Sequence, residues 1–434
     1  MEWAVQLGWD LTDALLLLFA QPFYYIAILL IALGYRRQSL LERRLFHTRL
    51  EGWGIQTLRT AWGGLLAGLG ISLLSLLLGI QFTPEAVICI WIAAAILMLF
   101  RVRYLCFAYA VGLLGVLQFI FGFAKTWQPE GWIGRAVDTV RGLDIPSLLI
   151  LVAVLHIAEA VLVRWQGGRM ATPLFIEGKR GRLVGGYQME DYWPIPLLLL
   201  VPAQGGAALP WTPLVGWLHG DWSGGFSMAA LPILIGFSGM TQSMLPRQKA
   251  AVSAKRLVMY SLVLLILGVL AAWWSPLMIV AALASFFLHE LIIWYGSLEE
   301  QQHSPLFVHP EAGLRVLAVL PDSPAKELGI LAGEVIYKVN GVLITSRAEL
   351  HRALRMNPAF CKLEVRNLQG ESKFLQRAIF AGDHHQLGVI LAPDQEAEWA
   401  VSAKPASIYR VIAMSLNARR KDRAASGSGN SADM

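Results

Sequence analysis

Residues 146–163, PSLLILVAVLHIAEAVLV, contain only two ionisable side chains, His156 and Glu159. As an α-helix this stretch would be about 27 Å long, close to the roughly 30 Å of a bilayer's hydrocarbon core. The whole chain is also rich in apolar residues, because 56% of its 434 residues are hydrophobic, only 15% are charged, and the mean hydropathy is +0.53. This composition excludes a water-soluble globule, a disordered chain and a disulfide scaffold, and it predicts a membrane protein.

Comparable apolar stretches recur through the first 295 residues. They predict a polytopic α-helical membrane domain over residues 1–296, with about nine spans. The sixth stretch, which begins WPIPLLLLVPAQGG, contains four prolines and a Gly-Gly pair, so a broken or re-entrant helix, and eight spans in all, is the alternative. The predicted spans are 11–34, 61–80, 84–100, 104–124, 146–163, 193–212, 226–245, 257–273 and 276–295.

Basic residues are distributed unequally among the loops that connect these spans. One set of alternate loops carries seventeen Lys and Arg residues, whereas the other carries three, Lys125, Arg135 and Arg141. Since basic loops stay in the cytoplasm, the pattern predicts an external N-terminus and a cytoplasmic C-terminal part. The first stretch lacks a preceding basic segment and is followed by Arg36 and Arg37, so it is expected to remain as an anchor.

Two features inside the predicted spans indicate contacts between helices. His156 and Glu159 are three residues apart and therefore lie on one helical face. They predict a buried polar pair, with the proton or ion path of a transporter as the alternative. Gly64 and Gly68 form a small-xxx-small pair, which predicts a close helix contact.

The last span contains His289 and Glu290, which begin a zinc-protease HExxH pattern. Ile293 stands where the second histidine would be, and isoleucine cannot bind zinc. A metalloprotease resembling the site-2 proteases is therefore only an alternative, and the chain is predicted not to be an enzyme. Cys89 and Cys106 lie in or beside apolar runs and are expected to be small core residues. We predict no catalytic residue, no metal site and no cofactor.

After Tyr295 the composition becomes mixed and polar, and residues 304–393 have the right length for a small domain. GLRVLAVL at 313–320 predicts a buried strand. PDSPA at 321–325 predicts a turn that leads into a short helix.

The second half of this segment alternates turns, a helix and strands. Asn340-Gly341 is a strong signal for a tight hairpin. Ser346 and Glu349 have the spacing of a capping box and predict a helix that starts there. QLGVIL at 386–391 predicts the final strand.

With the motifs GL-V-V-PDSPA and GI-AGEVI-VNG, residues 304–393 resemble the bacterial PDZ domain, an α+β fold. The resemblance implies that backbone N–H groups near Gly388 bind a chain-terminal carboxylate, while the ligand adds as a strand beside residues 387–390 and against the 347–356 helix. The alternative is an edge strand that binds no C-terminus. The implied peptide-binding residues are Gln386, Leu387, Gly388, Val389, Ile390, His351 and Leu354.

The last segment, 394–434, is predicted to be a disordered basic tail. It carries Arg419, Arg420, Lys421 and Arg423, followed by Ser, Gly and Asn residues. Such a cluster could bind anionic lipid headgroups at about 1 kcal/mol per charge.

A polytopic anchor, one cytoplasmic PDZ domain and a short tail are together similar to the MinJ family of division-site determinants. Residues 20–25, AQPFYY, and 43–49, RRLFHTR, add to the resemblance. It implies a multi-pass cell-membrane scaffold, enriched at septum and poles, that binds DivIVA-like and MinD-like division proteins and not nucleic acid. A homo-oligomer stays open, and the alternatives are a protease adaptor, a site-2-like protease or a transporter.

Overall fold

The computed structural model describes residues 2–46, 48, 50–80, 83–124, 126–178, 181–207, 225–357, 360–378 and 387–394. The chain begins with the helices α1 (Glu2–Ala20), α2 (Pro22–Phe46), α3 (Trp53–Leu78), α4 (Pro84–Phe100), α5 (Phe107–Phe123), α6 (Gly131–Arg141) and α7 (Ile145–Leu162). Three strands follow, β1 (Thr172–Glu177), β2 (Leu183–Ala207) and β3 (Phe226–Thr241). Two long helices, α8 (Pro246–Trp273) and α9 (Leu277–Gln302), complete this part.

Four helices within the described ranges are long and apolar enough to cross a membrane: α3, α7 with its extension to Gly167, α8 and α9. A fifth crossing results if α1 and α2, which meet at a bend of 50° beside Gln21, count as one broken span. The apolar helices α4 and α5 have only seventeen residues each. The prediction of about nine helical spans is therefore wrong in number.

The sixth and seventh predicted spans, 193–212 and 226–245, are wrong in kind, because their described parts are mainly strands. β2 and β3 pair antiparallel, with Pro196 directly opposite Pro232. A proline in a helix interior costs about 3 kcal/mol or more, so Pro194 and Pro196 together exclude a helix here. A strand tolerates proline where the missing N–H points away from the neighbouring strand.

Helix α3 covers this edge of β2 at short range. A Cβ added at Gly64 would lie within 3.0 Å of the carbonyl oxygen of Pro194, and one added at Gly68 within 3.0 Å of that of Pro196. Glycine alone leaves room for helix and strand to approach so closely. The contact predicted from this glycine pair is present, but its partner is a strand and not a helix.

The next step along α3 is polar. Ser72 Oγ accepts a hydrogen bond from the backbone N–H of Leu198 at 2.9 Å and donates one to the carbonyl of Gly68 at 2.6 Å. Four residues of a helix rise about 6.0 Å, and two residues of a strand rise about 6.6 Å. The contacts made by Gly64, Gly68 and Ser72 of α3 therefore fall beside every second residue of β2. Proline has no N–H to satisfy, and Ser72 satisfies that of Leu198, so this part of the β2 edge needs no further strand.

The opposite side of the sheet is covered as well. α1 packs along β3, and Gln21 Nε2 donates a hydrogen bond to the carbonyl oxygen of Ala230 at 2.9 Å. Non-helical backbone at membrane depth is tolerated only where protein or a water-filled cavity surrounds it. The helices on both sides of the sheet supply that cover.

Helix α7, which contains the stretch 146–163, lies at the centre of the helical bundle. Of its apolar window, 83% is buried, against 22–33% for the other three single candidates. The helix continues into a π-helical turn, Val163–Gly167. That turn places Gln166 Oε1 2.8 Å from the indole Nε1 of the fully buried Trp193, which donates to it. α7 is thereby joined to β2.

The C-terminal part contains β4 (Leu314–Val319), α10 (Pro324–Glu327), β5 (Val335–Val339), β6 (Val342–Leu343), α11 (Arg347–Met356), β7 (Phe360–Arg366), β8 (Ser372–Ala378) and β9 (Val389–Leu391). The sheet order is β8-β7-β5-β4-β9, with β6 paired to β5. These elements have their own apolar core, which we call the PDZ core; its central side chains include Val316, Ile336, Leu350, Leu354 and Leu363.

The turn and cap predicted for this part are both confirmed. Asn340 and Gly341 have φ values of 49° and 85° and connect β5 to β6 in a tight hairpin. Ser346 Oγ accepts the backbone N–H of Glu349 at 3.2 Å. The Glu349 carboxylate bonds back to the N–H of Thr345 at 2.7 Å, one residue earlier than a capping box requires.

Three predicted features lie outside the described residues: the end of the sixth span, 208–212, the peptide-binding residue Gln386, and the basic tail from 395 to 434.

The contact between α3 and β2 generates a stability prediction. Gly68→Ala places a methyl group against the backbone of Pro196 and should destabilise the chain by about 1–3 kcal/mol, a typical cost of overpacking. The matched control is Gly70→Ala on the same helix, where an added Cβ has nothing within 4 Å. Thermal unfolding in detergent should show a lower Tm for the first variant only. Equal Tm values for both variants would contradict the close contact.

Candidate peptide-binding site and its junction with the membrane helices

The loop predicted to bind a carboxylate is anchored to the turn before α10. Gly388 has φ +77°, in the left-handed region, and a Cβ added there would lie within 3.0 Å of Ser323. The carbonyl oxygen of Leu387 accepts the N–H of Ala325, and that of Gly388 accepts the N–H of Leu320, each at 2.9 Å. Both the φ angle and the lack of space require glycine at this position.

Strand β9 presents its two faces to different surroundings. Leu387, Val389 and Leu391 pack in or against the PDZ core, which also contains Leu354 of α11. Ile390 lies in a separate apolar cluster that reaches the membrane helices. β9 is the last strand of the described sheet order, so the outer edge of β9 is where an added peptide strand would pair.

His351, the remaining predicted contact, lies on α11 and is half-buried. Partial burial and the neighbouring charges of Arg347 and Arg355 lower the pKa of His351, so its imidazole is neutral at physiological pH. The structure brings Leu354 and the 387–391 segment to one core. The part that these residues play in peptide binding stays a prediction.

An apolar cluster joins the PDZ domain to the strand sheet of the membrane part. We call it the junction cluster; its buried members are Tyr187, Phe307, Leu317, Ala318 and Ile390. The backbone N–H of Gly185 donates to the carbonyl of Phe307 at 2.9 Å, and the Tyr187 hydroxyl donates to the carbonyl of Leu317. The PDZ domain is therefore seated on the end of β2.

Glu300, near the end of α9, ties the chain down just before it enters the PDZ domain. Its carboxylate accepts hydrogen bonds from Lys249 Nζ at 2.8 Å, Ser243 Oγ at 2.8 Å and the backbone N–H of Gln242 at 3.1 Å. The backbone N–H of Leu306 then donates to the carbonyl of Gln242 at 2.8 Å. The connection is fixed by contacts at both ends.

A polar network crosses the helical bundle where α5 and α9 meet. Glu290 forms ion pairs with Arg103 and, at 3.9 Å, with Arg101, and it accepts the Tyr109 hydroxyl at 2.9 Å. Arg101 and Arg103 lie between α4 and α5, so Glu290 pairs with basic side chains from outside its own helix.

The network continues into a group of side chains that the sequence did not connect. His289 Nδ1 lies 3.0 Å from the Tyr109 hydroxyl, and the His156 ring centroid is 5.1 Å from that of His289. Cys106 Sγ lies 3.4 Å from His156 Nε2. Cys106 was expected to be a small core residue; nothing in the spacing of these residues indicates which helices become neighbours.

A cavity of about 690 Å³ opens beside α7 and α8. Small apolar residues, including Ala250 and Ala254, form part of its wall. Its basic side chains all come from loops or helix ends with the predicted cytoplasmic bias, namely Arg164, Arg169, Arg247 and Lys255. Basic residues at such positions suit the anionic headgroups of an inner leaflet.

Apolar helices followed by this α+β domain define a membrane-associated PDZ protein. Residues 315–367 match the family described as PDZ domain. The chain is 30% identical over 408 residues to the cell division topological determinant MinJ of Bacillus subtilis strain 168, an alignment that covers 92% of this chain and 99% of that relative. The chain therefore belongs to the MinJ family.

A second relative is more distant. The probable cell division topological determinant MinJ of Lacticaseibacillus paracasei is 26% identical over 291 residues, which cover 63% of this chain and 75% of that relative. Both relatives are named as division determinants and not as enzymes. The resemblances to the PDZ and MinJ families seen in the sequence are thus confirmed.

The junction cluster generates the second prediction. Phe307→Ala removes a fully buried ring from the cluster and should weaken PDZ docking by as much as about 3–5 kcal/mol. Limited proteolysis should then cut the connection after α9 faster than in the parent chain. The control is Phe374→Ala on β8, where the ring is 78% exposed and truncation should change little. Equal cleavage of both variants would show that the junction does not hold the PDZ domain.

Proposed function

We propose that this chain is a membrane-anchored scaffold that recruits cell-division proteins of the Min system to poles and septum. Recruitment takes place through the PDZ domain and the cytoplasmic loops. The observation that carries the proposal is similarity to a named division determinant over 92% of the chain, including both the apolar helices and the PDZ domain. Partners similar to DivIVA and MinD are part of the proposal.

We assign three functional segments to the chain. Residues 1–296 anchor it in the cell membrane with the N-terminus outside, residues 304–393 form the cytoplasmic PDZ domain, and residues 394–434 form a basic tail. The strands β2 and β3, which replace two predicted helical spans, support the same orientation. An antiparallel hairpin returns the chain to the side from which it left, so the basic loops before β2 and after β3 share one side.

Anchoring makes weak contacts effective. A binding groove held at the membrane surface meets other membrane-bound proteins at a high effective concentration, so the avidity can exceed the affinity of each single contact. The basic residues around the cavity beside α7 and α8 would add attraction to anionic lipids, at about 1 kcal/mol for each charge near the surface.

We assign partner binding to the outer edge of β9 and the loop at Gly388. A C-terminal segment would add there as a strand, and its carboxylate would bind backbone N–H groups of the loop. The left-handed φ of Gly388 supports the assignment, since such a conformation turns consecutive N–H groups toward one side. His351 and Leu354 on α11 would line the other wall of the groove.

Fluorescent fusions in rod-shaped cells test the proposal. The intact chain should concentrate at septa and poles. Gly388→Asp forces a side chain against Ser323 and adds a negative charge to the loop proposed to bind the carboxylate, so the fusion should stay in the membrane but lose this enrichment.

Gly370→Asp is the matched control. Gly370 also has a left-handed φ, +86°, but an added Cβ there has nothing within 4 Å. The control fusion should behave as the intact chain does. A uniform membrane signal from the intact chain would contradict the proposed scaffold, and equal loss of enrichment in both variants would contradict the role of the groove.

A further inference from the structure

The helical bundle brings three metal-binding side chains together from three separate segments of the chain. Cys106 lies at the start of α5, His156 in α7 and His289 in α9. One donor atom from each residue lies within 4.8 Å of the other two. Two ligands of a tetrahedral zinc ion, bound at about 2.1–2.3 Å, are roughly 3.5 Å apart. The distance of 3.4 Å between Cys106 Sγ and His156 Nε2 fits that geometry.

Hydrogen bonds leave one nitrogen of each imidazole ring with a lone pair for a ligand bond. His156 Nδ1 lies 2.8 Å from the carbonyl oxygen of Val152, so Nδ1 carries the proton and Nε2 presents a lone pair toward Cys106. The Tyr109 hydroxyl uses its proton to bond Glu290, so its oxygen accepts the Nδ1–H of His289. His289 Nε2 is then left with a lone pair. Metal-binding histidines in proteins are oriented in this way by partners of their second nitrogen.

Glu159 is an acidic side chain beside this group of three residues. Glu159 Oε2 lies 3.8 Å from His156 Nε2, and its side chain is only 10% exposed. A thiolate and a carboxylate together carry two negative charges, which a divalent cation neutralises.

We propose that Cys106, His156 and His289 bind one zinc ion inside the helical bundle, with Glu159 as an acidic neighbour of the site. Thiolate and imidazole donors in a tetrahedral arrangement suit zinc among the common divalent metals. These three residues leave the fourth position of a tetrahedral ion to Glu159 or to water. The site would join α5, α7 and α9, and it would add to the hydrogen bond between Tyr109 and Glu290 that already connects α5 to α9. The proposal is independent of the scaffold function.

Metal analysis of the full chain, purified in detergent without chelator, tests the proposal. The parent chain should contain about one zinc ion per molecule, the stoichiometry of a single site. Cys106→Ser and His289→Ala should lose the zinc. Cys89→Ser is the matched control, because Cys89 lies on α4 outside the cluster, and it should retain the ion. Helical content and elution volume establish that each variant is folded.

Cobalt substitution gives a second readout that does not depend on zinc carried through purification. Cobalt added to the metal-free parent chain should produce a thiolate-to-metal charge-transfer band that Cys106→Ser abolishes and Cys89→Ser keeps. Tyr109→Phe keeps the ring but removes the partner of His289 Nδ1, and it should weaken zinc binding by about 10–100-fold. A folded parent chain that holds no zinc and gives no cobalt band would overturn the proposal, as would equal zinc contents in Cys106→Ser and the parent.

Discussion

The close packing of α3 against the edge of β2 is the constraint on which the rest of the membrane part depends. An open sheet at membrane depth has an edge of unpaired backbone groups, and such an edge must be covered by protein. Here the edge has prolines at two positions, glycines of α3 beside them, and the Ser72 hydroxyl on the next N–H. Because four helical residues and two strand residues advance by nearly the same distance, one helix face can serve the strand over several steps.

This packing also explains how the PDZ domain can be held firmly. β2 is twenty-five residues long, and its first residues extend beyond the part covered by α3 to pair with β1 and to meet the PDZ domain at Gly185 and Tyr187. The same strand therefore contacts the helical bundle at one end and the PDZ domain at the other. Displacing α3 from β2 would disturb both regions.

Composition and short motifs predicted much of this architecture, and the failures have a common physical cause. The PDZ elements were predictable because the Asn340-Gly341 turn and the Ser346 cap are local signals, decided by residues next to one another. The strands β2 and β3 were not predictable, since hydropathy alone does not distinguish an apolar helix from an apolar strand. The available signal was the pair Pro194 and Pro196. Their presence was interpreted as a break in a helix, whereas their spacing of two residues favours a strand. Likewise, no local pattern places Cys106 beside His156, because that contact depends on how α5 packs against α7.

The orientation of the PDZ domain follows from where its connections are fixed. Between the carboxylate of Glu300 and the start of β4 at Leu314 the chain is bonded at Leu306 and Phe307, so little of the connection can act as a flexible tether. A domain held in this way loses less orientational freedom when it binds a partner, which lowers the entropic cost of association. Ile390 belongs to the junction cluster, whereas its neighbours Val389 and Leu391 pack in or against the PDZ core. The strand proposed to pair with a ligand is therefore also the strand whose Ile390 seats the domain, so a ligand bound there would lie beside the contact with the membrane part.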